Sequence, residues 1–198
     1  MKLILKVLLL TAQITLTNNL IAFSTEIKDR NEYLFDTRGD DGDIYLNRLS
    51  LHKKLDPPDI ETSLFAETQW NIETSEWEKL LFGLEARKLL WKYLCLSQSI
   101  QLVSGEILDY VNFEVSSNSI DTTTKIGLHL PLIKNFSFLA CEEYSFNLEE
   151  GRDEYCESIA EISYNHKDYL SIGIGWRHTD RIHNFDTDYV SSSLMLRF

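Results

Sequence analysis

The chain has 198 residues with a formal net charge of −12 at pH 7, and 12% of its residues are aromatic. This length suits one domain or one barrel, and the acidic excess argues against a nucleic-acid partner because phosphates would be repelled. After residue 24, no stretch approaches the roughly 18 consecutive apolar residues that a membrane-spanning helix needs.

Residues 1–24 are predicted to be a cleaved export signal. Lys2 and Lys6 make the start positive, and residues 3–10 form a short apolar core. Ala22 and Ser24 place small residues where a signal peptidase cuts. A permanent membrane helix is the weaker alternative because the apolar run ends early. The mature protein is therefore expected to be exported.

Residues 25–43 are predicted to be a solvated periplasmic linker. They contain the acidic run Asp36, Asp40, Asp41 and Asp43 beside two glycines. A calcium loop is the weaker alternative, because its ordered ligand spacing and distal bidentate glutamate are missing. The folded part, residues 44–198, is expected to begin after this linker.

Short segments in which apolar and polar residues alternate follow along the rest of the chain. The clearest places Leu170, Ile172, Ile174 and Trp176 on one face and small or charged residues on the other. Such alternation over about ten residues is typical of a barrel strand between lipid and lumen. The pattern predicts strands at 44–52, 64–72, 80–87, 94–102, 108–115, 124–132, 136–148, 155–164, 169–177 and 190–198.

Two segments leave the number of strands open. Residues 104–106 contain a glycine and are predicted to form a tight turn between two strands. Around residues 77–91, Trp77, Leu84 and Trp91 also match a helical spacing. We favour a strand there because the neighbouring segments share the period of two. Ten strands are predicted, with eight as the alternative if the first is not a strand and another pair merges.

The chain ends on Phe198, with Leu196, Leu194, Ser192 and Val190 on the same face of the last strand. This ending resembles that of the outer-membrane β-barrel proteins, which usually also carry an aromatic residue where Leu196 stands. The resemblance implies an all-β fold, a closed antiparallel up-and-down transmembrane barrel in the cell outer membrane. It also implies contact with outer-membrane lipid and recognition of Leu194, Leu196 and Phe198 by the barrel-assembly machinery. We expect a monomer.

Charged residues of both signs are predicted to face the lumen. A barrel of eight to ten strands is narrow enough to be filled by its own side chains, and buried charges need partners. The sequence therefore predicts a polar plug of ion pairs, with a narrow path for water or ions as the alternative. The predicted lumen charges are Glu67, Glu85, Arg87, Lys125, Glu143, Glu157, Glu161, Arg177 and Arg197.

An outer loop before the last strand carries a cluster of polar residues, His178, Asp180, His183 and Asp186. The lipid A deacylases look similar in placing a histidine at this position, but their serine stands two residues later, where this chain has Asp180. That leaves no nucleophile at the right spacing. A charged hydrophilic loop is the favoured interpretation, and no catalytic residue is predicted.

No metal or cofactor is predicted. The histidines and carboxylates of the outer loop match no strong metal spacing. Cys95, Cys141 and Cys156 form no CxxC pair, so a zinc or redox motif is not supported. Because there are three cysteines, one disulfide at most is expected. His52 and His129 have no other candidate metal ligand at a suitable spacing in the sequence. They are interpreted as polar residues with ordinary hydrogen bonds and not as metal ligands.

The sequence thus predicts a non-enzymatic outer-membrane barrel with a structural role in the envelope. The first alternative is a narrow channel for water, ions or small solutes, and the second is an outer-leaflet lipid hydrolase that uses His178. A soluble periplasmic β-sandwich is the remaining alternative, because alternation also describes a strand with one face in a core.

Overall fold

The structure is a computed structural model that describes residues 26–38, 42–55, 59–74, 76–109, 114–180 and 186–198. The predicted export signal, His183 and the middle of the predicted strand 108–115 lie outside these ranges. Within them, no helix is long and apolar enough to cross a membrane.

Ten strands form in the described ranges, and no two consecutive strands run in the same direction. They are β1 (Glu26–Asp36), β2 (Ile44–Leu55), β3 (Ile60–Asn71), β4 (Glu76–Leu89), β5 (Leu94–Asp109), β6 (Glu114–Pro131), β7 (Phe136–Asn147), β8 (Arg152–His166), β9 (Leu170–Asp180) and β10 (Thr187–Arg197).

Each strand pairs antiparallel with its neighbours along the chain, and β1 pairs with β10 to close the barrel. At this seam, Phe198 N–H donates to the Ile27 carbonyl at 2.9 Å, and Ile27 N–H donates back at 3.1 Å. The predicted all-β closed up-and-down barrel of ten strands is confirmed. We call the end that holds Glu26 and Phe198 the terminal end and the opposite one the far end.

The predicted linker at 25–43 is wrong, because most of it is strand β1. The outward face of β1 carries Asp29 and Asn31 before Tyr33, which hides the alternation in the sequence. These polar groups are satisfied locally, since Asn47 Nδ2 of β2 donates to Asp29 Oδ1 at 2.9 Å. The barrel therefore begins at β1, not at residue 44.

The predicted turn at 104–106 is also wrong, since β5 continues through it. The pairing with β6 shifts register between Ser104 and Ile107, which is the irregularity that a glycine in a strand often marks. The helical alternative for 77–91 is wrong as well, because β4 is a strand. The predicted turn divided the region of β5 and β6 into three strands instead of two, and β1 was not predicted as a strand. These two errors cancel, so the predicted number of ten strands was right.

The two faces of the barrel differ in polarity. Large apolar side chains cover the outside, and Leu84 (58% exposed), Leu102 (56%) and Ile174 (64%) are examples. The inner wall is mostly polar, with buried residues such as Thr123 and Ser145. A closed ring of strands leaves no unpaired backbone edge, so this arrangement is stable in hydrocarbon.

Two apolar clusters interrupt the polar inner wall. Phe65, Leu81 and Val103 form one of them, on β3, β4 and β5. The other, near the far end, consists of Leu34, Ile44, Leu46 and Tyr189. The Phe65 ring lies directly opposite Gly83, and the Arg48 guanidinium carbon lies 3.8 Å from the ring centroid. Because Gly83 has no side chain, it leaves room for the Phe65 ring, and the Arg48 guanidinium packs on that ring.

Candidate functional site: the barrel lumen

The lumen contains a cavity of about 480 Å³ to which all ten strands contribute. Its lining includes His129 and Arg197 near the terminal end and Gln101 and Tyr189 towards the far end. The cavity therefore extends along most of the barrel. The side chains that were predicted to fill the lumen leave this space between them.

One group of ion pairs joins β1, β8 and β9. Arg30 lies 3.3 Å from Glu32 and 2.9 Å from Glu161, and Arg177 lies 3.0 Å from Glu32 and 3.4 Å from Glu157. Each arginine thus bridges two carboxylates, and Glu32 is shared by both. All five side chains are at least three-quarters buried. Pairing is what makes burial of these charges tolerable.

A second group lies on β2, β3 and β4, where Arg48 contacts Glu85 at 2.7 Å and Glu67 at 3.7 Å. Separately, Lys125 pairs with Glu143, which also accepts a hydrogen bond of 2.9 Å from the Tyr155 hydroxyl. Among the described residues, no hydrogen bond or ion pair connects the Arg48 group to the others. The described pairs therefore do not tie β2–β4 to the opposite wall.

Most of the predicted lumen charges lie in these pairs. The exceptions are Arg87, which donates to Cys95 Sγ at 3.5 Å, and Arg197, which donates to the Asp168 carbonyl at 3.5 Å. The sequence prediction missed Arg30 and Glu32 because β1 was taken for a linker, and Arg48 because the alternation of β2 is irregular. The predicted residues in ion pairs are Glu67, Glu85, Lys125, Glu143, Glu157, Glu161 and Arg177.

A third cluster near the terminal end contains Ser50 and His52 of β2 and Glu61 of β3. The Ser50 hydroxyl lies 2.8 Å from His52 Nε2, and His52 Nδ1 lies 2.6 Å from Glu61 Oε1. Lys28 Nζ lies 3.0 Å from Glu61 Oε1. This cluster was not predicted, because Glu61 approaches His52 only through the pairing of β2 with β3.

The predicted outer-loop cluster is only partly assembled. His178 lies at the end of β9, and its Nδ1 contacts Asp188 Oδ1 at 2.9 Å, while Arg38 also pairs with Asp188. Ser158 stands opposite His178 in the register, but its hydroxyl donates to Glu142 at 2.8 Å. Asp180 and Asp186 are exposed and make no ion pair among the described residues.

The C-terminal residues Leu194, Leu196 and Phe198 lie on the outward face of β10, with Phe198 74% exposed. Their recognition by an assembly machinery stays a prediction. The cysteines Cys95, Cys141 and Cys156 are free thiols. In the described part of the chain, no group of three or more His, Cys, Asp or Glu side chains is arranged to hold a metal ion.

A closed antiparallel barrel with an apolar outer belt and a charged, polar lumen defines an outer-membrane β-barrel protein, and the outer membrane is its location. No family model and no curated protein matches the sequence. The chain is similar to several solved structures. The KdgM porin has 11% identity and a TM-score of 0.49 over 88% of this chain and 99% of that chain.

Two further similar structures have lower TM-scores. Pseudomonas aeruginosa OccK5 has 12% identity and a TM-score of 0.38, covering 80% of this chain and 50% of that chain. Neisserial surface protein A has 9% identity and a TM-score of 0.31, covering 87% of this chain and 95% of that chain.

Proposed function

We propose that the protein is a narrow channel for water, ions and small polar solutes across the outer membrane. The observation that supports this proposal is the cavity of about 480 Å³ along the lumen. It is many times the roughly 30 Å³ that one water molecule takes up in the liquid. A plug of ion pairs with a purely structural role in the envelope is the alternative.

The chemistry of the wall supports passage of polar solutes. Ser97, Ser99 and Gln101 of β5 line the cavity, and most of the charged groups are paired with one another on the wall. Arg87 and Arg197 are exceptions within the described ranges. Paired charges leave a polar surface without a strong trap for a passing ion. The small diameter of a ten-stranded barrel restricts the channel to small solutes.

Planar-bilayer recording tests this proposal. We expect the purified protein to give discrete conductance steps, and Ser99→Trp to reduce the step size several-fold, because the indole would occupy the cavity. The matched control is Gln98→Trp, since Gln98 is the neighbouring residue on the outward face of β5 and is exposed. Its conductance should equal that of the unchanged protein.

Folding of each protein is checked by the mobility difference between unheated and boiled samples on a gel. Silence of the folded, unchanged protein over several voltages and salt conditions would reject the channel and leave the structural role. Equal conductance in Ser99→Trp and in the unchanged protein would show that the current does not pass through this lumen.

A further inference from the structure

We propose that Ser50, His52 and Glu61 form a hydrolytic site at the terminal end of the lumen, with Ser50 as the nucleophile towards small esters. A hydroxyl within hydrogen-bond distance of an imidazole that is itself oriented by a carboxylate is the arrangement of serine hydrolases. Here both distances, 2.8 Å and 2.6 Å, are within that range. This proposal goes beyond the channel function and departs from the expected non-enzymatic role.

The contacts of His52 determine which ring nitrogen carries the proton. A carboxylate only accepts hydrogen bonds, so the 2.6 Å contact requires a proton on His52 Nδ1, donated to Glu61. The competing contact from Lys28 Nζ to the same nitrogen is much longer, at 3.5 Å. In the neutral ring, Nε2 is then an acceptor for the Ser50 hydroxyl at 2.8 Å, whereas the other acceptor of that hydroxyl, the Lys28 carbonyl oxygen, is farther away at 3.4 Å. This is the tautomer that a general base needs.

Strand geometry holds the three groups in place. Ser50 and His52 are two residues apart on β2 and share its inward face, since side chains alternate along a strand. Glu61 of β3 is paired with Lys54, so it is diagonal to His52 across the strand pair. Ser50 is 6% exposed, and both Ser50 and His52 line the cavity. The site therefore faces the lumen.

The reaction requires only water as a second reactant. Ser50 Oγ attacks the ester carbonyl carbon while its proton moves to His52 Nε2, and that proton leaves with the alcohol when the ester bond breaks. Water then attacks the acyl-serine, His52 takes its proton, and Ser50 regains a proton as the acid departs. The Lys28 ammonium lies on the far side of the imidazole from Ser50, where it is 3.0 Å from Glu61 Oε1 and balances the charge of that carboxylate.

Two guanidinium groups indicate which esters the site prefers. Arg87 is directly paired with Glu61 in the register, and Arg197 lies at the same end of the lumen. Neither makes an ion pair within the described ranges, and both line the cavity. Arginine is well suited to bind a carboxylate. We therefore expect small esters with a carboxylate group to be preferred over neutral ones of the same size.

The first experiment uses diisopropyl fluorophosphate, a small reagent that phosphorylates activated serines. The folded barrel in detergent is treated, digested and examined by mass spectrometry, and we expect modification at Ser50. Ser50→Ala should abolish it, and His52→Ala should slow it at least about 100-fold through loss of the general base. The matched controls Ser63→Ala and Ser158→Ala should not change it.

These controls exclude two other sites. Ser63 is buried and lies opposite His52 in the register, and Ser158 lies opposite His178 on the outer face. No modification of Ser50 in protein that shows the heat-dependent mobility shift would overturn the proposal. Modification that persists in Ser50→Ala, or that is equally fast in His52→Ala, would do so too.

Glu61 is a positioning residue, and its effect is measured on ester hydrolysis. With 4-nitrophenyl hydrogen succinate, Glu61→Gln should lower kcat at least 10-fold with little change in KM, and Glu61→Asp should recover part of the rate. Arg87→Met should raise KM for this anionic ester more than it raises KM for 4-nitrophenyl acetate. A Glu61→Gln barrel that is folded and fully active would contradict the triad.

Discussion

Arg177→Met is expected to lower the free energy of unfolding of the barrel by about 3 kcal/mol. The Arg177 guanidinium pairs with Glu32 at 3.0 Å and with Glu157 at 3.4 Å, and these side chains are 13%, 4% and 10% exposed. Removing one partner of a buried pair leaves uncompensated charge and costs about 3–5 kcal/mol. We expect the lower end of that range because the adjoining cavity admits water. Urea unfolding in lipid vesicles measures the change.

Arg38→Met is the matched control, because Arg38 pairs with Asp188 at the rim and is 48% exposed. An exposed ion pair contributes about 1 kcal/mol or less, so this variant should be almost as stable as the unchanged protein. A triple variant with Glu32→Gln and Glu157→Gln added to Arg177→Met should regain much of the stability. Equal losses for the two arginine variants would contradict the importance of the buried pair.

Gly83→Ala is expected to destabilise the barrel by about 2 kcal/mol, although alanine normally suits a strand better than glycine. A Cβ on Gly83 would come within 2.6 Å of Phe65 Cζ and 2.7 Å of the Ile100 carbonyl oxygen. Overpacking of this kind typically costs about 1–3 kcal/mol. The Phe65 ring would be displaced towards the lumen together with Arg48, so the conductance should also change.

Gly127→Ala is the matched control for this prediction. Gly127 is also an inward-facing glycine in the middle of a strand, but a Cβ there would meet Cys95 Sγ at 3.2 Å and no other atom closer than 3.8 Å. Its stability should change by less than about 1 kcal/mol. The free energies of unfolding of the two variants are compared by urea unfolding under identical conditions. Similar decreases in both would show that the contact with Phe65 is unimportant.

Much of the fold was predictable because lipid imposes a strict pattern on barrel strands. Leu170, Ile172 and Ile174 alternate with small residues because one face meets hydrocarbon, and in the structure they lie on the outward face of β9. The alternation failed to predict β1, where polar residues take the place of apolar ones on the outward face. Asp29 and Asn31 satisfy each other and Asn47 on the outside of β1, so that strand lacks an apolar face in the sequence.

The site was less predictable than the fold, because it depends on strand register. Alternation alone indicated that Glu157 and Arg177 face inward, and the structure pairs them. It could not indicate that Glu61 approaches His52, since that contact requires the residue-by-residue pairing of β2 with β3. A shift of one residue would move Glu61 to the lipid face. Which side chains meet across two strands depends on how the strands are paired and cannot be predicted from the sequence of either strand alone.

The seam between β1 and β10 has a consequence for biogenesis. It is the one strand pairing among the described strands that joins distant parts of the chain, whereas the others link successive hairpins. Long-range contacts are slow to form because the intervening chain must first be ordered. The hairpins can therefore form as the chain is translocated, but the sheet stays open until β10 pairs with β1. Until then, the two edge strands carry unpaired backbone N–H and C=O groups that can pair with other chains. Closure is expected to be a single late event, and the period before it is when the protein most needs a chaperone.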